Sequence, residues 1–219
     1  MRKIKRVFGL FEAIFDVIYL SIAFLVGVAL LFTGTPSHLR LLASIMSFIL
    51  VLGDSFHLLP RIGAVFTKRE EELSVALGRG KQITSITMTI FYLFMWKIGR
   101  LKSSPDTLVM WTYIVYILAI IRILICLLPQ NKWKERYAPI SWGIIRNIPF
   151  FMLGGIVATL FYRNRLEMSG LSFMWLAISL SFTFYLPVVL WSNRNPKIGM
   201  LMLPKTCAYI WMLVMCLSL

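Results

Sequence analysis

Residues 40–66 read RLLASIMSFILVLGDSFHLLPRIGAVF, an apolar stretch that is long enough to cross a bilayer as a helix. An open strand is not expected here, because it would leave backbone groups unsatisfied in lipid. The stretch nevertheless carries Asp54, His57 and Arg61, and a charge at the bilayer centre costs at least about 2.5–3.5 kcal/mol. Spacings of three and four residues place these side chains on one helix face. The stretch therefore predicts a membrane helix whose polar face points into a bundle.

Six other apolar runs of similar length occupy most of the remaining chain, and only short linkers separate them. The mean hydropathy is +0.80 and 59% of the residues are hydrophobic, which is more apolar surface than a soluble domain can bury. We predict one all-α domain over residues 1–219, a polytopic bundle of seven transmembrane helices. The predicted spans are about 8–32, 40–66, 82–101, 107–128, 140–162, 171–191 and 198–218. The first run is too long for the core of a signal peptide, so we expect an uncleaved span.

The Lys and Arg residues of the connecting segments predict the orientation. With a cytosolic N-terminus, the cytosolic segments hold 13 of these residues and the outer segments hold 6. Cytosolic loops carry the excess of positive charge in membrane proteins, so we expect a cell-membrane protein with its N-terminus inside and its C-terminus outside. The cytosolic set includes Lys68, Arg69, Arg136 and Arg194. The net charge of +14 indicates membrane lipids as partners, and without a soluble domain a nucleic-acid partner is not expected.

Arg40, Lys97 and Arg100 lie near the outer ends of predicted spans and are counted with the outer segments. Seven other charged residues lie inside the predicted spans, and in this orientation all of them fall toward the cytosolic side. We predict that they converge on one polar pocket within the bundle. The expected ligand-binding residues are Arg61, Arg122, Arg146, Asn147, Lys205 and Tyr209. Glu12 and Asp16, which are one helical turn apart on the first span, are expected to pair with some of the bases.

The charge balance of this pocket indicates its ligand. Four bases outnumber three acids, so a surplus of positive charge remains after internal pairing. A carboxylate or a phosphate suits the forked donors of arginine, so we expect a binding or sensor protein for a small anionic ligand or lipid headgroup. Three alternatives stay open. In the first, the charges form a purely structural network. In the second, Asp54 and His57 are the catalytic acid–base pair of an intramembrane lipid-modifying enzyme. In the third, the protein transports an anion or a proton-coupled solute.

No metal or cofactor is predicted. A catalytic zinc site needs three protein ligands, and the chain has only two histidines, of which His38 lies in an outer connection. The three cysteines, Cys126, Cys207 and Cys216, fall in two spans, and their odd number argues against a disulfide framework. An oligomeric state is not predicted.

Four stretches carry a resemblance that extends over all the predicted spans: GDSFHLLPR (53–61), LPQN (128–131), SWGIIRNIP (141–149) and PKTCAY (204–209). In these stretches the chain resembles an uncharacterised family of seven-span membrane proteins of Gram-positive bacteria. The resemblance implies a seven-helix fold in a bacterial plasma membrane and implies no activity. A remote likeness to the superfamily of alkaline ceramidases and adiponectin receptors rests on His57. That superfamily has a histidine pair in its last span where this chain has Lys205 and Tyr209, so zinc ligation is not implied.

Overall fold

The computed structural model describes residues 2–67, 72–103, 109–135, 138–192 and 195–219. Within these ranges all regular structure is helical and no strand forms, which confirms the predicted all-α class. Some residues used in the predictions lie outside the described ranges. They are residues 107 and 108 at the start of the predicted fourth span, and the loop cations Lys68, Arg69, Arg136 and Arg194.

The described residues form seven long helices in chain order. Their bounds are α1 Arg2–Phe32, α2 His38–Thr67, α3 Ser74–Lys102, α4 Val109–Leu127, α5 Ile140–Arg163, α6 Met174–Trp191 and α7 Met202–Met215. Short 3-10 turns form at Pro129–Asn131, Pro196–Leu201 and Cys216–Ser218. The largest difference from the predicted bounds is at α3, which begins at Ser74 and not near residue 82.

Six of the helical segments are long and apolar enough to cross a membrane, and α3 is the exception among the described helices. The six are Gly9–Phe32, His38–Thr67, Val109–Leu127, Ile140–Arg163, Met174–Trp191 and Lys197–Ser218. Helix α3 carries bases near both ends, among them Lys81, Lys97 and Arg100, together with many Gly, Ser and Thr residues. The protein is therefore a membrane-like helical bundle with six candidate spans, and seven spans remain a prediction.

Helix α3 lies in the middle of the bundle and packs against α2, α4 and α5. Its side chains Phe91, Tyr92, Met95 and Trp96 are almost completely buried in the shared core. A helix that is enclosed by other helices does not need an apolar surface all round, because its polar groups face protein instead of lipid. The central position explains why α3 differs in composition from the outer helices.

Two glycines bring α3 close to its neighbours. A Cβ atom on Gly80 would overlap the backbone of Phe56 and His57 in α2, and one on Gly78 would overlap the carbonyl of Trp133. These close approaches require residues without side chains. As a consequence, the first turns of α3 and the polar half of α2 lie side by side.

Arg40, which the sequence places among the outer loop cations, is a buried residue in the first turn of α2. Only 5% of its surface is exposed. Its guanidinium donates hydrogen bonds to the carbonyls of Ala29, Leu30 and Leu217 and to Oγ1 of Thr33, at 2.9–3.3 Å. It therefore satisfies the C-terminal carbonyls of α1 and joins α1 to the C-terminal turn.

Candidate functional site

A cavity of about 420 Å³ opens between the helices that carry the predicted polar residues. Helices α2 to α7 and the connection between α4 and α5 all contribute to its wall. Six of the residues predicted to act in ligand binding or catalysis line the cavity together. They are His57, Arg61, Arg122, Arg146, Asn147 and Lys205. The convergence on one pocket that the sequence predicts is thus present for these residues.

The other predicted residues lie beside the cavity and are absent from its wall. Asp54 accepts a hydrogen bond of 2.7 Å from the hydroxyl of Tyr19, and this contact directs its carboxylate toward α1. The Tyr209 ring makes a cation–π contact with Lys205, with 5.1 Å between Nζ and the ring centroid. Because Asp54 faces Tyr19 while His57 lines the cavity, the structure does not favour the predicted acid–base pair of Asp54 and His57.

Arg122 is the most deeply buried base of the cavity, with 2% of its surface exposed. Its Cζ atom lies 3.2 Å from the centroid of the Phe150 ring, a cation–π contact. Phe150 is in turn held by edge contacts with Tyr92 and Phe182, at 5.2 and 5.1 Å between centroids. The Nε and Nη1 atoms of Arg122 are buried and have no hydrogen-bond partner among the residues that the structure describes. This guanidinium therefore has its face occupied and two of its donor groups unused.

Arg146 also rests on an aromatic ring, with Cζ 4.3 Å from the centroid of Trp133. Its Nη1 donates to Oδ1 of Asn131 at 3.1 Å. The connection that supplies both partners is itself fixed to the end of α4. The Nε1 of Trp133 donates to the carbonyl of Cys126 at 2.9 Å, and Nδ2 of Asn131 donates to the carbonyl of Ile125 at 2.6 Å. Asn131 and Trp133 thus form a fixed part of the wall that positions Arg146.

Lys205 is the third base that is held by aromatic rings. It is 8% exposed, and its Nζ lies 4.5 Å from the ring centroid of Tyr185. Nζ makes no ion pair with any carboxylate of the described residues. The Tyr185 hydroxyl donates to Oδ1 of Asn147 at 3.2 Å, and Nδ2 of Asn147 donates to the Gly143 carbonyl at 2.8 Å. These contacts fix the ring on which the ammonium rests.

Arg61 differs from these three bases because it has an acidic partner. Its Nη2 forms an ion pair with Oε1 of Glu12 on α1. Arg61 lines the cavity on one side and, on the other, a small crevice that also contains Asp16. Asp16 is 6% exposed, and its Oδ2 is buried without a hydrogen-bond partner among the described residues. The predicted pairing of Glu12 with a base is therefore present, whereas Asp16 makes no ion pair within the described part of the chain.

Two features of the cavity were not predicted from the sequence. Lys81 lines it from α3, although its position in the sequence suggested a loop cation. The aromatic side chains Trp133, Phe150 and Tyr185 also line it and carry the bases. The glycines at 78 and 80 were the available signal, because small residues near a base indicate a close helix approach. The aromatic contacts had no sequence signal, since they depend on how separate helices are rotated.

The cavity carries a strong excess of positive charge. Among the described lining residues, five are bases, namely Arg61, Lys81, Arg122, Arg146 and Lys205, and one is an acid, Glu135. Glu135 forms an ion pair of 3.1 Å with Lys132. Among the described residues, no group of three or more His, Cys, Asp or Glu side chains is placed to hold a metal ion.

Together, the fold and the cavity define a membrane-like helical bundle with a basic internal cavity. Comparison with models of protein families, with curated proteins and with solved structures finds no match for this chain. The resemblance to a family of seven-span bacterial membrane proteins stays a prediction.

Proposed function

We propose that this protein is a binding or sensor protein of the cell membrane, and that its basic cavity holds a small anion or the anionic headgroup of a lipid. The observation that carries the proposal is how the bases are held. Arg122, Arg146 and Lys205 rest on aromatic faces and make no ion pair with a described carboxylate. A ring face attracts a cation without consuming its N–H donors. Apart from the bond of Arg146 to Asn131, their donors therefore stay available for an anionic ligand.

Arg40 shows how this chain holds an arginine that is only structural. Its N–H groups donate hydrogen bonds to three carbonyls and a hydroxyl, and it lines no part of the cavity. Arg122 is buried more deeply, yet two of its nitrogens have no partner. Leaving buried charged donors unsatisfied is unfavourable, and a carboxylate, sulfate or phosphate group supplies the acceptors that they need. The contrast supports a ligand site over a structural network.

The volume of the cavity bears on the size of the ligand. A value of about 420 Å³ falls within the range of about 300–1,000 Å³ that is typical of small-molecule sites. Apolar side chains from α6 and α7, among them Val188, Val189 and Met202, also line the cavity. The lining thus suits an anionic group attached to an organic body, as in an organic acid, a phosphate ester or a lipid headgroup.

Binding is tested by thermal unfolding of the delipidated protein in detergent. We expect inorganic sulfate and phosphate to raise the melting temperature with saturation, because a ligand that binds only the folded state stabilises it. A comparison of phosphatidylglycerol with phosphatidylcholine in mixed micelles separates a lipid headgroup from a free anion. Arg122→Met should abolish the effect. Arg165→Met is the matched control, because Arg165 also stacks on a ring, that of Tyr162, but outside the cavity. Equal stabilisation of both variants by sulfate would refute the site.

We also propose that α3 crosses the membrane within the bundle, which gives seven spans with the N-terminus inside and the C-terminus outside. The burial of its aromatic side chains supports this, and so does the distribution of Lys and Arg in the connections. Reporter fusions at Leu219 test the arrangement. Alkaline phosphatase fused there should be active and green fluorescent protein should be dark. The reverse pattern would contradict the odd number of spans or the orientation.

A further inference from the structure

The Arg61 side chain belongs to two chemical environments at once. On one side it lines the basic cavity, and on the other it borders the crevice that contains Glu12 and Asp16. Its Nη2 is committed to Glu12, and each of its remaining nitrogens is a hydrogen-bond donor. An anion in the cavity and the carboxylate of Glu12 are therefore competing partners for one guanidinium.

Asp16 is the second carboxyl group of the crevice. Only 6% of its surface is exposed, and its Oδ2 has no hydrogen-bond partner among the described residues. Glu12 and Asp16 are four residues apart on α1, so both carboxyl groups face the same crevice. Two carboxylates in one site do not both stay ionised when no cation separates them. Arg61 is the cation that lies between them and the cavity.

Other charged and titratable groups complete the surroundings of this pair. Tyr19 faces it from α1, and Arg61 and Asp54 face it from α2. His57 lies one turn before Arg61, and Lys205 and Tyr209 approach Asp54 and Tyr19 from α7. Asp54 already has a partner, because it accepts the hydrogen bond from Tyr19. Of the carboxyl groups in this region, Glu12 and Asp16 are the two that would respond directly to the loss of Arg61.

We propose that anion binding in the cavity is coupled to proton uptake by the Glu12–Asp16 pair, with Arg61 as the shared group. The inference rests on the proposed function. When an anion draws Arg61 toward the cavity, its hydrogen bond to Glu12 breaks. One proton from solvent then binds to the carboxylate pair and replaces the charge of the guanidinium. No other bond is made or broken. One proton enters for each anion, so the anion and the proton favour each other's binding.

The sign of the pH dependence follows from this uptake. If one proton binds with each anion, the affinity for the anion rises by up to about tenfold for each unit by which the pH falls. The useful probe is sulfate, because it stays fully ionised from pH 5.5 to 8 and does not titrate itself. The coupling fades at low pH, where the carboxyl pair already holds a proton before the anion arrives.

The experiment measures the dissociation constant of sulfate between pH 5.5 and 8, from the melting temperature of the purified protein in detergent. We expect the wild type to show the pH dependence, and Glu12→Gln and Asp16→Asn to flatten it. Glu167→Gln is the matched control, since it removes a carboxylate that lines neither the cavity nor the crevice. It should keep the wild-type slope.

Calorimetry on the wild type gives a measurement that does not depend on any variant being folded. Sulfate binding is recorded at pH 7 in two buffers with different enthalpies of ionisation, and the difference gives the number of protons taken up. An uptake close to one proton per sulfate supports the coupling. No uptake, or a pH slope that persists in Glu12→Gln but disappears in His57→Asn, overturns it while the anion site stands. Failure of the wild type to bind sulfate or phosphate at any pH overturns the anion site, and the coupling with it.

Discussion

Replacing Arg122 with methionine separates a ligand site from a structural charge network. Methionine keeps much of the volume but removes a buried guanidinium whose Nε and Nη1 are unpartnered. Each unsatisfied buried donor costs about 1–3 kcal/mol, so two of them cost about 2–6 kcal/mol. The contact with Phe150 offsets about 2 kcal/mol of this amount. The net expectation is that Arg122→Met leaves the ligand-free protein unchanged or stabilises it by up to about 4 kcal/mol.

The structural alternative predicts the opposite sign. Removing one member of a buried, mutually paired network leaves its partner unpaired, which destabilises by about 3–5 kcal/mol. The assay is thermal unfolding of delipidated protein in detergent, in a buffer without sulfate or phosphate. For a chain of this size about 1 kcal/mol corresponds to a change of roughly 2–4 °C in melting temperature. A fall of about 6 °C or more in Arg122→Met, with little change in Arg165→Met, would refute the reasoning.

Two further substitutions test the packing that forms the cavity. Gly80→Ala should destabilise the protein by about 1–3 kcal/mol, because the added Cβ would meet the α2 backbone at Phe56. Gly155→Ala should be neutral or stabilising by about 0.5–1 kcal/mol, because the space around Gly155 is open. The same unfolding assay measures both, and equal effects would contradict the close approach of α3. Arg40→Ala should lower the free energy of unfolding by about 3 kcal/mol with or without sulfate, because it leaves helix-end carbonyls unpaired. An effect of Arg40→Ala that sulfate reverses would argue against its purely structural role.

The charge of the lining residues, and not only the volume of the cavity, is the reason for proposing a ligand site. A hydrophobic pocket of the same volume would show only that the helices pack imperfectly. Among the described lining residues, five bases share the cavity with one acid, and that acid forms an ion pair with Lys132. Unpaired charges inside a membrane are costly, so such an excess supports a function for these charges. An anion is the group that we propose to complete this lining.

The pattern of apolar runs predicts the helices and the membrane-like class of this protein without any knowledge of its packing. Long apolar runs form helices because a backbone in lipid must satisfy its own hydrogen bonds, and α1 and α2 occupy the places predicted for the first two spans. The sequence also predicted that charges buried in several helices would meet in the interior, because lipid excludes them. His57, Arg61, Arg122, Arg146 and Lys205 do line one cavity.

Which of these polar groups become partners depends on how the helices pack against one another. Spacing along α2 placed Asp54 and His57 on a common face, but the packing of α1 gives Asp54 a hydrogen bond to Tyr19 and leaves His57 in the cavity. Lys81 became a lining residue because α3 begins at Ser74 and because Gly78 and Gly80 let this helix pack closely against its neighbours. The rings beneath the bases are fixed by the rotation of whole helices. Such rotations are set by contacts between residues far apart in the chain, so no local pattern in the sequence encodes them.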